Sequence, residues 1–241
     1  MNRIKRIIRD IEDMNVNQSH KEGLYYFYNE QDVTVGYGLI LCDKENTHKD
    51  NPYSYGAHVI KFEFPQAYPN IPPACTYINY TNLRMSPNFH DNGKVCASRL
   101  NTWEDNINVN KWVGTMDIYS VLKLIKISIL TVEPLNNEPP YDYSTFKPIL
   151  ATAYSDVVKY ANMLALTTML QQSKMLLPVD IHRDIITVVN KHVSLYRTDI
   201  THYLKELHEQ YQDTVLNCAF YSNCAVECHY DNILRLIRDK S

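Results

Sequence analysis

No apolar stretch in this chain is long enough to span a bilayer. The most apolar run, Ile118 to Val132, is interrupted by Lys123 and Lys126. The opening residues, Met1-Asn2-Arg3-Ile4-Lys5-Arg6, lead into Asp10, Glu12 and Asp13 and lack the apolar core of a secretion signal. A cytoplasmic location, or a nuclear one, is therefore expected by elimination. An excess of one charge is also missing. The formal charge of −3 gives no reason to expect nucleic acid or an anionic membrane as a main partner. There are no internal repeats. The short Cys-x2-Cys knuckle of common zinc sites is absent as well: Cys218, Cys224, Cys228 and His229 are spaced Cys-x5-Cys-x3-Cys-His, and the adjacent last pair would reach one ion only with strain. No metal is expected there, only ordinary packing of a terminal helical region.

What is present is an ordinary globular composition. The 241 residues are 45% hydrophobic and 21% charged, enough for one good-sized domain plus an extension, or for two small domains. The six cysteines, Cys42, Cys75, Cys96, Cys218, Cys224 and Cys228, are expected to be reduced in a chain with no export signal. Ile4, Ile7, Ile8, Ile11 and Met14 recur at helical spacing, with Lys5, Arg6 and Arg9 forming a basic outer face near the start. Leu24–Tyr28, Val33–Cys42, the alternating His58–Phe64 and Ala74–Tyr80 read as four strands. Four prolines, Pro65, Pro69, Pro72 and Pro73, demand an ordered turn between the third and fourth. Leu83 to Val113 has no period, yet Phe89, Val95, Leu100, Trp103 and Trp112 need burial, so this is a packed functional loop. Helices follow over Met116–Val132, Ser144–Met169, a segment beyond Pro178 that includes Ile185 to Tyr196, and Ile233–Arg238. Helix, four strands, loop, then helices is an α+β order.

The chemistry concentrates in Ser86-Pro87-Asn88-Phe89-His90-Asp91-Asn92-Gly93-Lys94-Val95-Cys96. A thiol in a rigid turn is more exposed than one in a strand, a nearby Asn amide can meet a developing oxyanion, and Gly93 can supply a positive φ just before the cysteine. The residues alone leave two readings open, a reactive Cys96 or a buried inert one. Cys42 and Cys75, in apolar strand patterns, read as inert.

The order Tyr55-Gly56, Phe62-x-Phe64-Pro65, Tyr68-Pro69-x-x-Pro72-Pro73, Pro87-Asn88, Gly93-Lys94-Val95-Cys96, Trp112 and Glu133-Pro134 resembles the ubiquitin-conjugating enzymes from about Ile4 to Leu164. Thr102-Trp103, a lengthened loop before Trp112, and Asn137-Glu138-Pro139 resemble the larger, C-terminally extended members. The resemblance implies an α+β, UBC-like fold: a four-stranded antiparallel sheet with helices at one face and the ends. It places the conjugating domain at 1–170 and a helical C-terminal extension at 171–241.

The resemblance implies that Cys96 is the nucleophile, taking ubiquitin or a ubiquitin-like protein as a thioester from the activating enzyme in an ATP-dependent pathway. The acyl group would then pass to a substrate lysine or to a ligase. No cofactor is implied. Asn88 matches the Asn of a His-Pro-Asn tripeptide that stabilises the oxyanion or fixes the loop, while the family His is Ser86 here. Ser98 stands where many members carry an acceptor-orienting Asp, and Glu138 matches the acid of the gate loop. Lys5, Arg6 and Arg9 resemble the surface that meets the activating enzyme. Asn70 and Val113 occupy ligase-facing loops where the family often has other residues, which leaves a ligase partner open. Family members that lack the cysteine act only as binding modules. A non-catalytic module presenting ubiquitin is thus the alternative, and a helical scaffold with a vestigial conjugating fold is a third.

Overall fold

The computed structural model describes residues 2–43, 50–102, 111–137, 147–172, 175–218, 220–221 and 225–239. Three residues singled out in the sequence, Trp103, Glu138 and Cys224, lie outside them, as does the expected start of the third helix at Ser144.

The chain opens with α1 (Arg3–Val16), started by Asn2, whose side chain accepts the Ile4 amide at 2.9 Å. Ile7 and Met14 of its apolar stripe are buried, while Ile4 and Ile8 stay exposed. Four strands follow in simple antiparallel order, β1 (Leu24–Asn29), β2 (Asp32–Leu41), β3 (Ala57–Glu63) and β4 (Ala74–Ile78). The expected strands are found within two residues at each end.

The register puts Gly38 and Ile40 on one face and Leu39 and Leu41 on the other. The first face receives α2 (Ile118–Ser128), whose first turn is capped by Asp117 on the Ser120 amide. Contact is so close at Gly38 that a β-carbon there would sit 2.4 Å from a Leu122 methyl. A side chain at this position would force the Leu122 side chain to shift.

Beyond the sheet lies α3 (Lys147–Gln171), tied in by Asn162, which donates to the Ser54 carbonyl at 3.0 Å. The sequence suggests an amphipathic helix here. In the structure Val157, Val158, Ala161, Met163, Leu166 and Met169 are all buried, because both sides of α3 are covered. The covering comes from the chain after Gln171: α4 (Val179–Leu195), α5 (Arg197–Tyr211), a hairpin of β5 (Val215–Asn217) and β6 (Ala225–Glu227), and α6 (Tyr230–Asp239).

This segment packs back onto the preceding part of the chain. α4 lies against β1 and β2 on the face opposite α2, where Leu39 is fully buried. The sheet thus carries a helix on that face as well, beyond the one-sided arrangement expected. The Tyr160 and Tyr230 rings meet edge to face, 5.2 Å apart, joining α6 to α3. The hairpin departs from the terminal helical packing expected around Cys218 and Cys228, both of which are buried there. Burial pushes the Cys228 thiol up to about 11. No described helix is long and apolar enough to cross a membrane.

One core residue makes stability depend on pH. His58 is fully buried on β3, edge-on to Tyr53 at 5.5 Å, with Nδ1 3.4 Å from the Tyr77 hydroxyl. Burial pushes its pKa down from 6.5 to about 3, helped by Lys126. Between those values the unfolded chain binds a proton that the folded chain does not. Stability therefore falls as pH drops below 6.5, by up to about 1.4 kcal/mol per unit from this group. In urea titrations from pH 7 to 4.5, His58→Leu is expected to flatten that part of the slope. An unchanged slope would remove His58 as its source.

Candidate active site

The segment 86–96 folds back on β4 as a flap. Val95 N donates to Cys75 O at 2.9 Å and Tyr77 N to Gly93 O at 2.7 Å, while Phe89 and Val95 form a bridge across the flap. The Phe89 ring stacks on Tyr77 at 4.2 Å, nearly parallel. The tip is a tight turn, with Gly93 N on His90 O at 2.7 Å and His90 N on Lys94 O at 3.0 Å.

Gly93 has φ +81°, as its position before the cysteine suggests, and a β-carbon there would lie 2.7 Å from the Tyr77 carbonyl oxygen. Gly93→Ala thus meets both a disfavoured backbone region and a backbone clash, at a cost of about 1–3 kcal/mol. The melting temperature is expected to fall by about 3–10 °C. A melting point within a degree of the parent would show that the flap tolerates a side chain.

Cys96 sits where the flap leaves the sheet. Its amide donates to Asn88 O at 2.8 Å, and the Asn88 side chain returns a bond from Nδ2 to Cys96 O, also 2.8 Å. The Ser86 hydroxyl accepts the Asn88 amide at 3.2 Å, so the serine that stands in the tripeptide braces the asparagine from within the loop. Beyond the cysteine, the Thr102 hydroxyl accepts the Ala97 amide at 2.9 Å and lies 2.9 Å from Val95 O. The Cys96 thiol donates to the Thr102 carbonyl at 3.0 Å, and the residue is 6% exposed.

These bonds fix the backbone on both sides of the sulfur. Ser98, half-buried, begins a one-turn 3-10 helix, Ser98–Leu100. Asn101 then accepts the Trp112 amide at 3.1 Å, and Trp112 Nε1 donates to Pro69 O at 2.7 Å. Trp112 is the buried anchor expected of it. Cys42 directly follows β2 and Cys75 lies within β4, and burial pushes Cys42 up to about 12 and Cys75 higher still.

A second cluster joins α1 to the loops around Pro69 and Trp112. Lys5 and Arg9 are exposed. Arg6 turns inward: Nε pairs with Asp10 at 2.6 Å, Nη1 donates to Gly114 O at 2.7 Å and Nη2 to Met116 O at 2.8 Å. Tyr68 donates to the other Asp10 oxygen. Burial holds the Asp10 carboxyl above its usual range, against the pull of Tyr68 and Arg6 in the other direction. Arg6 therefore staples α1 to the loop that carries Val113, leaving Lys5 and Arg9 as the accessible cations of the three. Asn70 and Val113 are both exposed. So is Ile71, at 51%, an apolar residue beside Asn70.

The sequence profile of the ubiquitin-conjugating enzymes matches residues 6–164, well over half of the chain. The chain belongs to the ubiquitin-conjugating enzyme family. Ubiquitin-conjugating enzyme E2 Z of Danio rerio is 32% identical over 162 residues, which cover 66% of this chain and 45% of that protein. The human dual E2 ubiquitin-conjugating enzyme/E3 ubiquitin-protein ligase BIRC6 is 34% identical over 122 residues, 46% of this chain and 2% of that protein. This chain spans less than half the length of the curated relatives it matches. Among solved structures, the E2 domain of a Toxoplasma gondii ubiquitin-conjugating enzyme aligns with a TM-score of 0.47 at 17% identity, covering 66% of this chain and 95% of that one. The family match includes the flap, Cys96 and Trp112 and stops inside α3, so α4, α5, the hairpin and α6 lie beyond it.

Three features around the flap and the Pro69 turn carry no signal in the sequence. The part played by the Thr102 hydroxyl and carbonyl follows from a turn that has no sequence period. Ile71 was hidden by its neighbours in a proline-rich turn. Arg84, which touches the flap at several points, stands between Leu83 and Met85 and carries no local signal.

Proposed function

We propose that this protein is a ubiquitin-conjugating enzyme that carries ubiquitin or a ubiquitin-like protein as a thioester on Cys96. The observation that supports the reading best is the reciprocal pair of bonds between Asn88 and Cys96, inside a flap braced by Thr102 and Ser86. A nucleophile needs its backbone fixed so that the attacking atom meets the carbonyl at a reproducible angle. The Cys96 thiolate attacks the carbonyl carbon of the thioester on the activating enzyme. A new sulfur–carbon bond forms, the old one breaks, and the activating enzyme leaves with its own thiolate restored. A lysine amine or a ligase thiol then repeats the displacement at Cys96.

Lys5 and Arg9 supply the basic surface for the activating enzyme, with Arg6 holding α1 in place behind them. Asn70, Ile71 and Val113 supply the surface that a ligase would read. Ser98 is the group beside the incoming amine, and Glu138 takes the acidic role of the gate loop. The pathway runs in the cytoplasm or nucleus.

The test is direct. The protein is mixed with activating enzyme, ubiquitin and ATP and run on a gel without reductant. A shifted band that disappears with dithiothreitol is expected. Its absence with ubiquitin and with every ubiquitin-like protein and cognate activating enzyme tried would end the enzyme reading. One observation favours the binding-module alternative: Cys96 is nearly enclosed, with its thiol committed to Thr102. That alternative predicts binding of ubiquitin with no band at all.

A further inference from the structure

The chain beyond the family match reaches back to the active-site flap. Tyr221, between β5 and β6, lays its ring over the Arg84 guanidinium, 4.1 Å from carbon to centroid. Arg84 is otherwise turned into the flap, with its side chain 13% exposed. Its Nη2 donates to Pro87 O at 2.9 Å, its Nε lies 3.4 Å from Ser86 O, and its Nη1 is 3.3 Å from the Asp91 carboxylate. A single planar cation therefore holds the carbonyls of both residues before Asn88 and one side of the turn at the tip. The Arg84 carbonyl is held in turn by the Tyr154 hydroxyl of α3 at 3.1 Å, and the Tyr154 and Tyr221 rings lie 5.8 Å apart.

A guanidinium suits this place in a way that an ammonium does not. Its edge donates several bonds in fixed directions, and its weakly hydrated face stacks on an aromatic ring. Covering that face keeps the edge turned toward the flap.

We propose that Tyr221 and Arg84 act as a positioning pair, through which the C-terminal hairpin sets the flap that carries Asn88 and Cys96. The proposal rests on the reading of that flap as the acyl-transfer site. Neither residue touches the reacting atoms; they fix Ser86 and Pro87, and these fix Asn88. Loss of the ring lets Arg84 leave for solvent, frees both carbonyls, and lets the asparagine drift from the sulfur. A misplacement on the order of 1 Å is enough to cost transfer rate heavily.

The test uses the full chain with Tyr221→Ala, Tyr221→Phe, Arg84→Lys and the double variant Arg84→Lys with Tyr221→Ala. Hydrogen exchange is followed at the Phe89 and Cys96 amides, both bonded within the flap, and charging and discharge to free lysine are timed separately. Tyr221→Ala should raise exchange at both amides by about 3- to 20-fold and slow discharge by a similar factor, with charging within about twofold of the parent. Tyr221→Phe keeps the ring and should match the parent. Arg84→Lys keeps the charge but loses the fork, and should behave as Tyr221→Ala does. The double variant should be no worse than either single one, because both break one device.

Parental exchange in Tyr221→Ala or in Arg84→Lys, a Phe variant as impaired as the Ala variant, or an additive double variant would each overturn the pair. So would equal losses of charging and discharge. If the parent never charges, the acyl-carrier reading falls alone, and the exchange measurements still decide whether the hairpin sets the flap.

Discussion

Replacing Cys96 by alanine is expected to abolish the reductant-sensitive band completely, while the protein stays folded. The loss should be total because no other described thiol is placed to substitute. Cys42 and Cys228 are fully buried and Cys218 nearly so, while Cys75, no more exposed than Cys96, lies within β4. Cys42, Cys75 and Cys228 are also held toward the neutral thiol by burial, and it is the thiolate that attacks. Cys96 sits on a loop whose backbone is fixed by Asn88 and Thr102. Removing one sulfur from that loop loses the thiol bond to the Thr102 carbonyl but leaves the Asn88 pair and the Thr102 hydroxyl bonds in place, so the melting temperature should move by only about a few degrees. Cys96→Ser sharpens the result. A serine hydroxyl is a far weaker nucleophile at neutral pH, so the product should form slowly. Once formed it is an oxygen ester, which thiols do not cleave, and the band should survive dithiothreitol. A reductant-sensitive band that persists in Cys96→Ala would move the acyl site to another cysteine and sink the assignment.

The sheet was legible because its signals are local. Alternation in His58–Phe64 and the prolines that follow mark where β3 stops and the turn begins. The flap was legible as a packed loop because Phe89 and Val95 need burial, and they meet across it. Gly93 was legible because a tight turn before a fixed residue needs positive φ.

What the sequence hid is set by distant parts of the chain. The helical spacing through Ile185 to Tyr196 gives no sign that one helix ends and another begins at Arg197, since neither proline nor glycine marks the break. β5 and β6 are three residues each, too short to show a period. Arg6 and Asp10 stand four apart, a spacing that permits a pair on any helix. Only the loop packed against α1 turns that pair inward and takes Arg6 out of the basic surface. Arg84 is the extreme case: each of its partners in the flap is within seven residues, yet the ring that covers it is more than a hundred residues away. Family resemblance ends before Tyr221 and could not have shown it.

Asn88→Ala is expected to slow discharge from Cys96 to free lysine by about 10²- to 10³-fold while charging falls far less. In the proposed reaction one residue can serve either role that its place in the tripeptide implies, or both. A carboxamide nitrogen has two N–H donors. One is committed to Cys96 O at 2.8 Å and shapes the loop, and the residue is 8% exposed, so water competes weakly for the other. In the proposed reaction that second donor meets the oxyanion formed when an amine adds to the thioester carbonyl. A neutral donor held in place needs no reorganisation at that moment, which is where its effect on rate comes from. Losing the first bond should carry its own, smaller signature. Cys96 O would be left without that partner, at about 1–3 kcal/mol, and the melting temperature should drop by about 2–10 °C. Asn88→Asp removes both donors at constant side-chain size and brings only acceptors to both places. Discharge should then be at least as slow as in the alanine variant, because a carboxylate repels the developing charge. If Asn88→Ala lowers charging and discharge by the same factor, the asparagine only shapes the loop, and the oxyanion must find its donor elsewhere.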